Sequence, residues 1–103
     1  MIGICNDRYY GHVYGIVLER KAYLSSLFVK PIYRTKGYAR GLLKYFLTNA
    51  ISHGAIYVEL DDCSDNYRKS HNIYLKYGFE YINKEHLMRG NIRNILKKLK
   101  LFA

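Results

Sequence analysis

The sequence predicts an α+β fold built on a mixed sheet with flanking helices, and three observations carry that expectation. Three extended segments come first, then a long helical stripe from Tyr38 to Ala50, then a short apolar segment from Ala55 to Leu60. Twenty-five residues separate Val29 from Ala55, enough for a right-handed crossover that sets two strands parallel. Further short extended segments follow, with no internal repeat, linker or low-complexity tract.

Taken in order, Ile2–Asn6 and His12–Leu18 cluster or alternate β-branched and aromatic residues around the polar Asn6-Asp7-Arg8. This pattern predicts two strands joined by a turn. Glu19-Arg20-Lys21 predicts a second turn, and Tyr23–Val29, YLSSLFV, a third strand. Pro31 marks the end of that strand because it cannot donate to a ladder. From Tyr38, the residues Ala39, Leu42, Leu43, Phe46, Leu47 and Ala50 recur at helical spacing, and His53-Gly54 supplies a stop. Ala55–Leu60 has little polar relief, as expected near the centre of a sheet. A second helix is predicted from about Asp65 to Tyr77, with Gly78 at its end, followed by strands at Phe79–Ile82 and His86–Met88. Ile92, Ile95, Leu96 and Leu99 predict a basic amphipathic helix at the end.

At 103 residues, half of them apolar, the chain is expected to form one domain with a packed core. Two cysteines, Cys5 and Cys63, are too few for a disulfide framework. No apolar run approaches the ~20 residues that span a bilayer. A reducing, cytoplasmic setting is therefore expected, with no membrane partner. The lean towards Ile, Lys, Asn and Tyr, which have A/T-rich codons, points to an AT-rich genome such as a compact viral one, and then to the host cytoplasm or nucleus. Seventeen Lys and Arg against eight Asp and Glu give a net charge of +9, with a pI near 9.6. That balance favours anionic partners without selecting among a phosphorylated cofactor, nucleic acid and a membrane surface. His12, His53, His71 and His86 have no ligand spacing with the cysteines or with each other, so no metal is expected.

The stretch YRTKGYARGLLKYFL places two glycines and four basic residues at the entrance to the first helix. A loop that leaves a strand and opens a helix presents free N–H groups, and the helix dipole adds positive potential there. Gly37 has no Cβ to block a phosphate, Ala39 is nearly as small, and Arg34, Lys36 and Arg40 add attraction. An ordinary solvated helix start is the competing reading of the same residues.

LFVKPIYRTKGYARGLL resembles the acetyl-CoA signature of the GNAT superfamily of N-acetyltransferases, whose central pattern is Arg/Gln-x-x-Gly-x-Gly/Ala; here it is Arg34-Thr35-Lys36-Gly37-Tyr38-Ala39. The second family segment is matched by the strand YVELDD and by NIYLKYGFEY. The resemblance runs from about Tyr23 to Ile82. It implies a GNAT-like fold, mostly antiparallel, with a central parallel pair of strands that splay apart around acetyl-CoA. Residues 1–22 would be truncated N-terminal strands, 23–54 the strand, pyrophosphate loop and helix, 55–90 the second motif, and 91–103 the basic tail helix.

Carried over residue by residue, Leu27, Phe28 and Val29 would pair with the pantetheine arm, and the amides of Thr35, Lys36, Gly37, Tyr38, Ala39 and Arg40 would hold the pyrophosphate, with Arg34 beside them. An amine would attack the thioester directly, and Tyr74, four residues before Gly78, would protonate the leaving thiolate. YLSSLFV offers only Ser25 and Ser26, neither a useful base. Glu59, Asp61 and Asp62 are therefore the candidates for the base or the amine-receiving site, while Asp62 or Ser64 capping the second helix is the alternative reading. Cys63 reads as an inert thiol.

This sequence departs from the family where Asn66, the candidate cofactor contact of the second helix, sits one place early and Ser70 takes the small position. Only about twenty residues precede YLSSLFV, leaving no room for the helices that usually cover the acceptor groove. That groove is then open, closed by the tail helix, or completed by a second copy in a homodimer. The expected activity is transfer of acetyl from acetyl-CoA to a small amine, a polyamine, or a protein lysine or N-terminus. The rival readings are a CoA-binding module of reduced activity and, less favoured, a nucleic-acid binder using Arg89, Arg93, Lys97, Lys98 and Lys100.

Overall fold

The computed structural model describes residues 1–63, 72–83 and 85–101. Six strands form one sheet: β1 (Ile2–Arg8), β2 (Gly11–Leu18), β3 (Lys21–Val29), β4 (Tyr57–Asp61), β5 (Glu80–Tyr81) and β6 (Leu87–Asn91), in the order β1-β2-β3-β4-β6-β5. Among the described residues, only β3 and β4 are parallel neighbours. The helix α1 (Tyr38–Ser52) makes the crossover between them, preceded by a 3-10 turn at Pro31–Tyr33. Then come α2 (Ile73–Lys76) and α3 (Ile92–Leu101). The expected mixed sheet is present, with β4 inside it.

One turn lies elsewhere than expected. Asn6, Asp7 and Arg8 belong to β1, and Tyr9–Tyr10 makes the turn. The reason is that β1 is an edge strand. Its backbone pairs Asn6 with Val13 and Arg8 with Gly11 whatever the polarity of the side chains, and polar residues are well tolerated at an edge. Likewise β6 runs to Asn91, beyond the expected Met88, since Arg89 and Asn91 are held by their partners on β4. Of the predicted second helix, residues 65–71 lie outside the described residues, and α2 supplies its final turn before Gly78.

The apolar stripe of α1 buries Leu42, Leu43, Phe46, Leu47 and Ala50 against the sheet. Phe46 needs a particular gap: a Cβ at Gly15 would sit 2.5 Å from its ring, so that glycine lets the ring reach the backbone of β2. Burial of such a ring stabilises by about 2–3 kcal/mol. Ile92, Ile95 and Leu99 of α3 pack beside α1, on the same side of the sheet, while Arg93, Lys97, Lys98 and Lys100 remain exposed. The tail helix therefore does not cover the opposite face. There Tyr14, Phe28 and Tyr57 stay partly open to solvent.

Candidate functional site

The site begins where the sheet parts. β3 pairs with β4 only from Lys21 to Tyr23, opposite Tyr57 to Glu59. Beyond that point β3 continues with β2, and β4 with β6. A bulge lies at the same place, because Gly15 opposes Leu24 and Tyr14 opposes Ser26, leaving Ser25 as the extra residue on β3. An extra residue bends a strand and deepens its twist, which turns β3 away from β4. From Leu24 to Val29, the edge of β3 that faces β4 has no strand partner among the described residues.

The parting opens a cleft of about 960 Å³, within the range of small-molecule sites. Residues from both faces of the sheet line it. Side chains alternate along a strand, so Leu27, Val29 and Leu60 come from the α1 face, while Ser26, Phe28 and Asp61 come from the other. The cleft is thus a slot through the sheet with a mouth on each side.

At the α1 mouth lies the loop from Lys30 to Gly37. Thr35 and Gly37 both have positive φ, 65° and 87°. Such left-handed residues between ordinary ones turn consecutive amides towards one concavity. Gly37 is the N-cap of α1 and has no side chain to satisfy the first amides, and the first turn carries no acidic residue. The first intrahelical bond runs only from Gly41 N to Gly37 O, at 3.1 Å. With no cap from Gly37, the N–H groups of Tyr38 and Ala39 and the positive end of the dipole favour an anion at this end of the helix. Arg34 turns back instead: its Nε donates to Val29 O at 2.9 Å, and its guanidinium lies 5.5 Å from the Phe28 ring centre. It ties the loop to β3 while still lining the cleft.

Four tyrosines brace this loop, a feature that sequence reading missed. Tyr10 stacks on Tyr38 at 4.1 Å, and Tyr9 meets Tyr33 edge-on at 5.5 Å. A hydrogen bond with Tyr9 raises the Tyr38 phenol above its usual range. Only the clustering of tyrosines at 9, 10, 33 and 38 hinted at this, and their pairing crosses the fold.

Tyr74 lines the cleft from α2, with its ring edge-on to Phe79 at 5.5 Å. Burial, and then the Asp62 charge, push its phenol up to about 12. α2 is fixed by Asn72, which is 1% exposed. Its side-chain oxygen accepts from Tyr74 N at 2.8 Å, and its Nδ2 donates to Asp62 at 2.8 Å. Asp62 also accepts from the Tyr81 hydroxyl at 2.5 Å, and its backbone carbonyl meets His86 Nδ1 at 2.7 Å. Asn72 is therefore the cap of α2, and buried Asp62 positions it; Ser64 and the predicted start of the second helix lie outside the described residues.

The three carboxylates on and beside β4 have separate surroundings. Glu59, 5% exposed, is held by Arg89 Nε at 2.8 Å and by Lys21 Nζ at 3.2 Å. Burial alone would raise its pKa, but those hydrogen bonds win and hold it below the usual carboxylate range. Glu59 does not line the cleft, whereas Asp61 and Asp62 do. Asp61 is exposed and accepts a hydrogen bond from Tyr23 across the parting strands. Of the loop residues, Thr35, Gly37, Tyr38, Ala39 and Arg40 line the slot together with Leu27, Phe28 and Val29, and Lys36 stays outside it. Asn66 lies outside the described residues.

The sequence model of the acetyltransferase (GNAT) family matches residues 2–79. No curated protein sequence gives a significant match. Among solved structures, a GNAT-family acetyltransferase from Staphylococcus aureus superposes with a TM-score of 0.69 at 18% identity, covering 81% of this chain and 60% of that one. The PaiA N-acetyltransferase of Thermoplasma acidophilum, solved with coenzyme A, gives 0.66 at 22% identity, over 80% of this chain and 53% of that one. An acetyltransferase from Bacillus cereus gives 0.71 at 17% identity, over 87% and 71%. The chain thus spans less than two thirds of the length of the first two.

Proposed function

Because the chain belongs to the acetyltransferase (GNAT) family, we propose that it transfers the acetyl group of acetyl-CoA to a primary amine. The observation that carries this reading is the two-mouthed slot. An anion-seeking loop flanks one mouth, an edge of β3 with no neighbouring strand among the described residues runs along the slot, and a protonated phenol faces into it.

On this reading the amides of residues 35–40 hold the pyrophosphate, and the β4-facing edge of β3 at Leu27–Val29, where Arg34 Nε already occupies the Val29 carbonyl, meets the pantetheine amides through its remaining groups as a neighbouring strand would. The thioester supplies the activated acyl group. The Tyr74 phenol stays protonated over the whole physiological range and donates to the sulfur as its charge develops. Its pKa near 12 exceeds that of a thiol, about 8.5, so it stabilises the departing sulfur first by a hydrogen bond. The amine enters from the face opposite α1. There Asp61 is the carboxylate that attracts a cation, Glu59 being neutralised by Arg89 and Lys21 and Asp62 committed to Asn72 and Tyr81.

The test is the melting shift with acetyl-CoA, with ADP as a control, in the wild type and in Gly37→Glu, followed by thiol release with added amines. A ligand at a hundred times its Kd stabilises by ~2.7 kcal/mol. A shift that the substitution removes, with amine-dependent thiol release, is expected. No shift at millimolar acetyl-CoA overturns the reading. A shift without release with any amine leaves a CoA-binding module.

A further inference from the structure

We propose that His12 and Ser26 form the proton acceptor for the incoming amine. This rests on the acetyl-transfer reading and gives it the base that the strand YLSSLFV lacks when read alone.

Ser26 lines the slot, and register with Tyr14 puts it on the face away from α1. It follows directly on the bulged Ser25, and bulges re-aim side chains beside active sites. His12 lies on the neighbouring strand, fourteen residues away in sequence, with Nε2 2.8 Å from Ser26 Oγ. The imidazole is held in place: it stacks parallel on Tyr14 at 4.4 Å and tilts against Phe28 at 5.8 Å. With its proton on Nδ1, Nε2 accepts from the Ser26 hydroxyl. Ser26 is thus the member that touches the amine, and His12 acts through it.

The groups facing this pair come from three strands. Asp7 of β1 is directly opposite His12, and Cys5 of β1 is opposite Tyr14. Tyr14 is the neighbour on β2. On β3 are Ser26 and Phe28, with the Arg34 guanidinium over the Phe28 ring. Asp7 offers a countercharge to an imidazolium.

The protons balance as follows. An alkylammonium carries three protons on nitrogen, and the product amide keeps one. One leaves before attack, through Ser26 Oγ to His12 Nε2. Nitrogen then bonds to the thioester carbonyl carbon, the carbon–sulfur bond breaks, and the remaining surplus proton replaces the one that Tyr74 gives the sulfur. His12 returns its proton to water.

The test uses two amines of similar shape, ethylamine, which is protonated at neutral pH, and trifluoroethylamine, which is largely neutral there. kcat/KM is measured across pH for wild type, His12→Gln, Ser26→Ala and Ser26→Thr, with the acetyl-CoA melting shift alongside. His12→Gln and Ser26→Ala are expected to lose about 10²-fold with ethylamine. Trifluoroethylamine should be almost unaffected. The ethylamine deficit should close as pH rises and free amine accumulates, and Ser26→Thr should restore activity by keeping the hydroxyl. Equal losses with both amines, or none with either, overturn the proposal, as does a wild type that binds acetyl-CoA but acetylates neither. Failure to bind acetyl-CoA overturns the underlying reading instead.

Discussion

The Tyr23 hydroxyl donates to the Asp61 carboxylate just past the last residue pair that joins β3 to β4. Tyr23 belongs to that last pair, opposite Glu59, so its side chain reaches two residues further along β4 than the backbone pairing does. Chiefly through that hydrogen bond, and then through burial, the Tyr23 phenol rises to about 12.

Alkaline stability follows from it. An unfolded tyrosine ionises near 10, whereas Tyr23 and Tyr74 in the fold hold their protons to about 12. Above pH ~10 the unfolded chain binds fewer protons, so stability present below that pH is lost as pH rises towards ~12. Urea midpoints should fall more steeply over this window in wild type than in Tyr23→Phe. Parallel curves would mean that the bridge does not shift the phenol.

Gly37→Ala should separate strain from binding. At φ 87° a Cβ costs about 1–2 kcal/mol, yet it would meet nothing nearer than Arg40 Nη2 at 3.8 Å. The protein is therefore expected to fold with a modestly lower Tm. Gly37→Glu puts a carboxylate at the mouth of the cradle, and the acetyl-CoA shift should disappear. Calorimetric binding of both variants decides the matter; undiminished affinity in Gly37→Glu would move the phosphate site elsewhere.

Tyr74→Phe removes one oxygen and leaves the ring against Phe79. Acetyl-CoA affinity should be unchanged, while kcat falls about 10²-fold, the low end for a general acid because so weak an acid transfers its proton late. Unchanged turnover would assign protonation of the sulfur to water.

Asn72→Ala deletes the cap of the helix that carries Tyr74 and takes a donor from buried Asp62. Loss of a cap costs about 1 kcal/mol, and an under-satisfied buried carboxylate adds about 1–3 kcal/mol. The urea midpoint should drop with no change in slope, and kcat should fall with it. An effect confined to stability would show that the position of Tyr74 does not depend on this cap.

Element order was legible in the sequence because periodicity is local. The α1 stripe, the stop at His53-Gly54 and the strand end before Pro31 depend on neighbours a few residues away. The loop that opens α1 was legible for the same reason, since its glycine and the helix behind it lie in one stretch. The turn after β1 was misplaced because edge strands tolerate polar residues that elsewhere signal turns.

What the sequence determined by itself was therefore the fold class, the loop and the position of Tyr74 ahead of Gly78. Tertiary structure alone decided which polar groups meet. Glu59 is bound to Arg89, thirty residues on, and Asp62 to Asn72 and Tyr81. His12 reaches Ser26 only because strand register and a bulge bring them together. Each carboxylate on and beside β4 looks alike in sequence; the charge and hydrogen bonds around it come from other strands, and so does its chemistry.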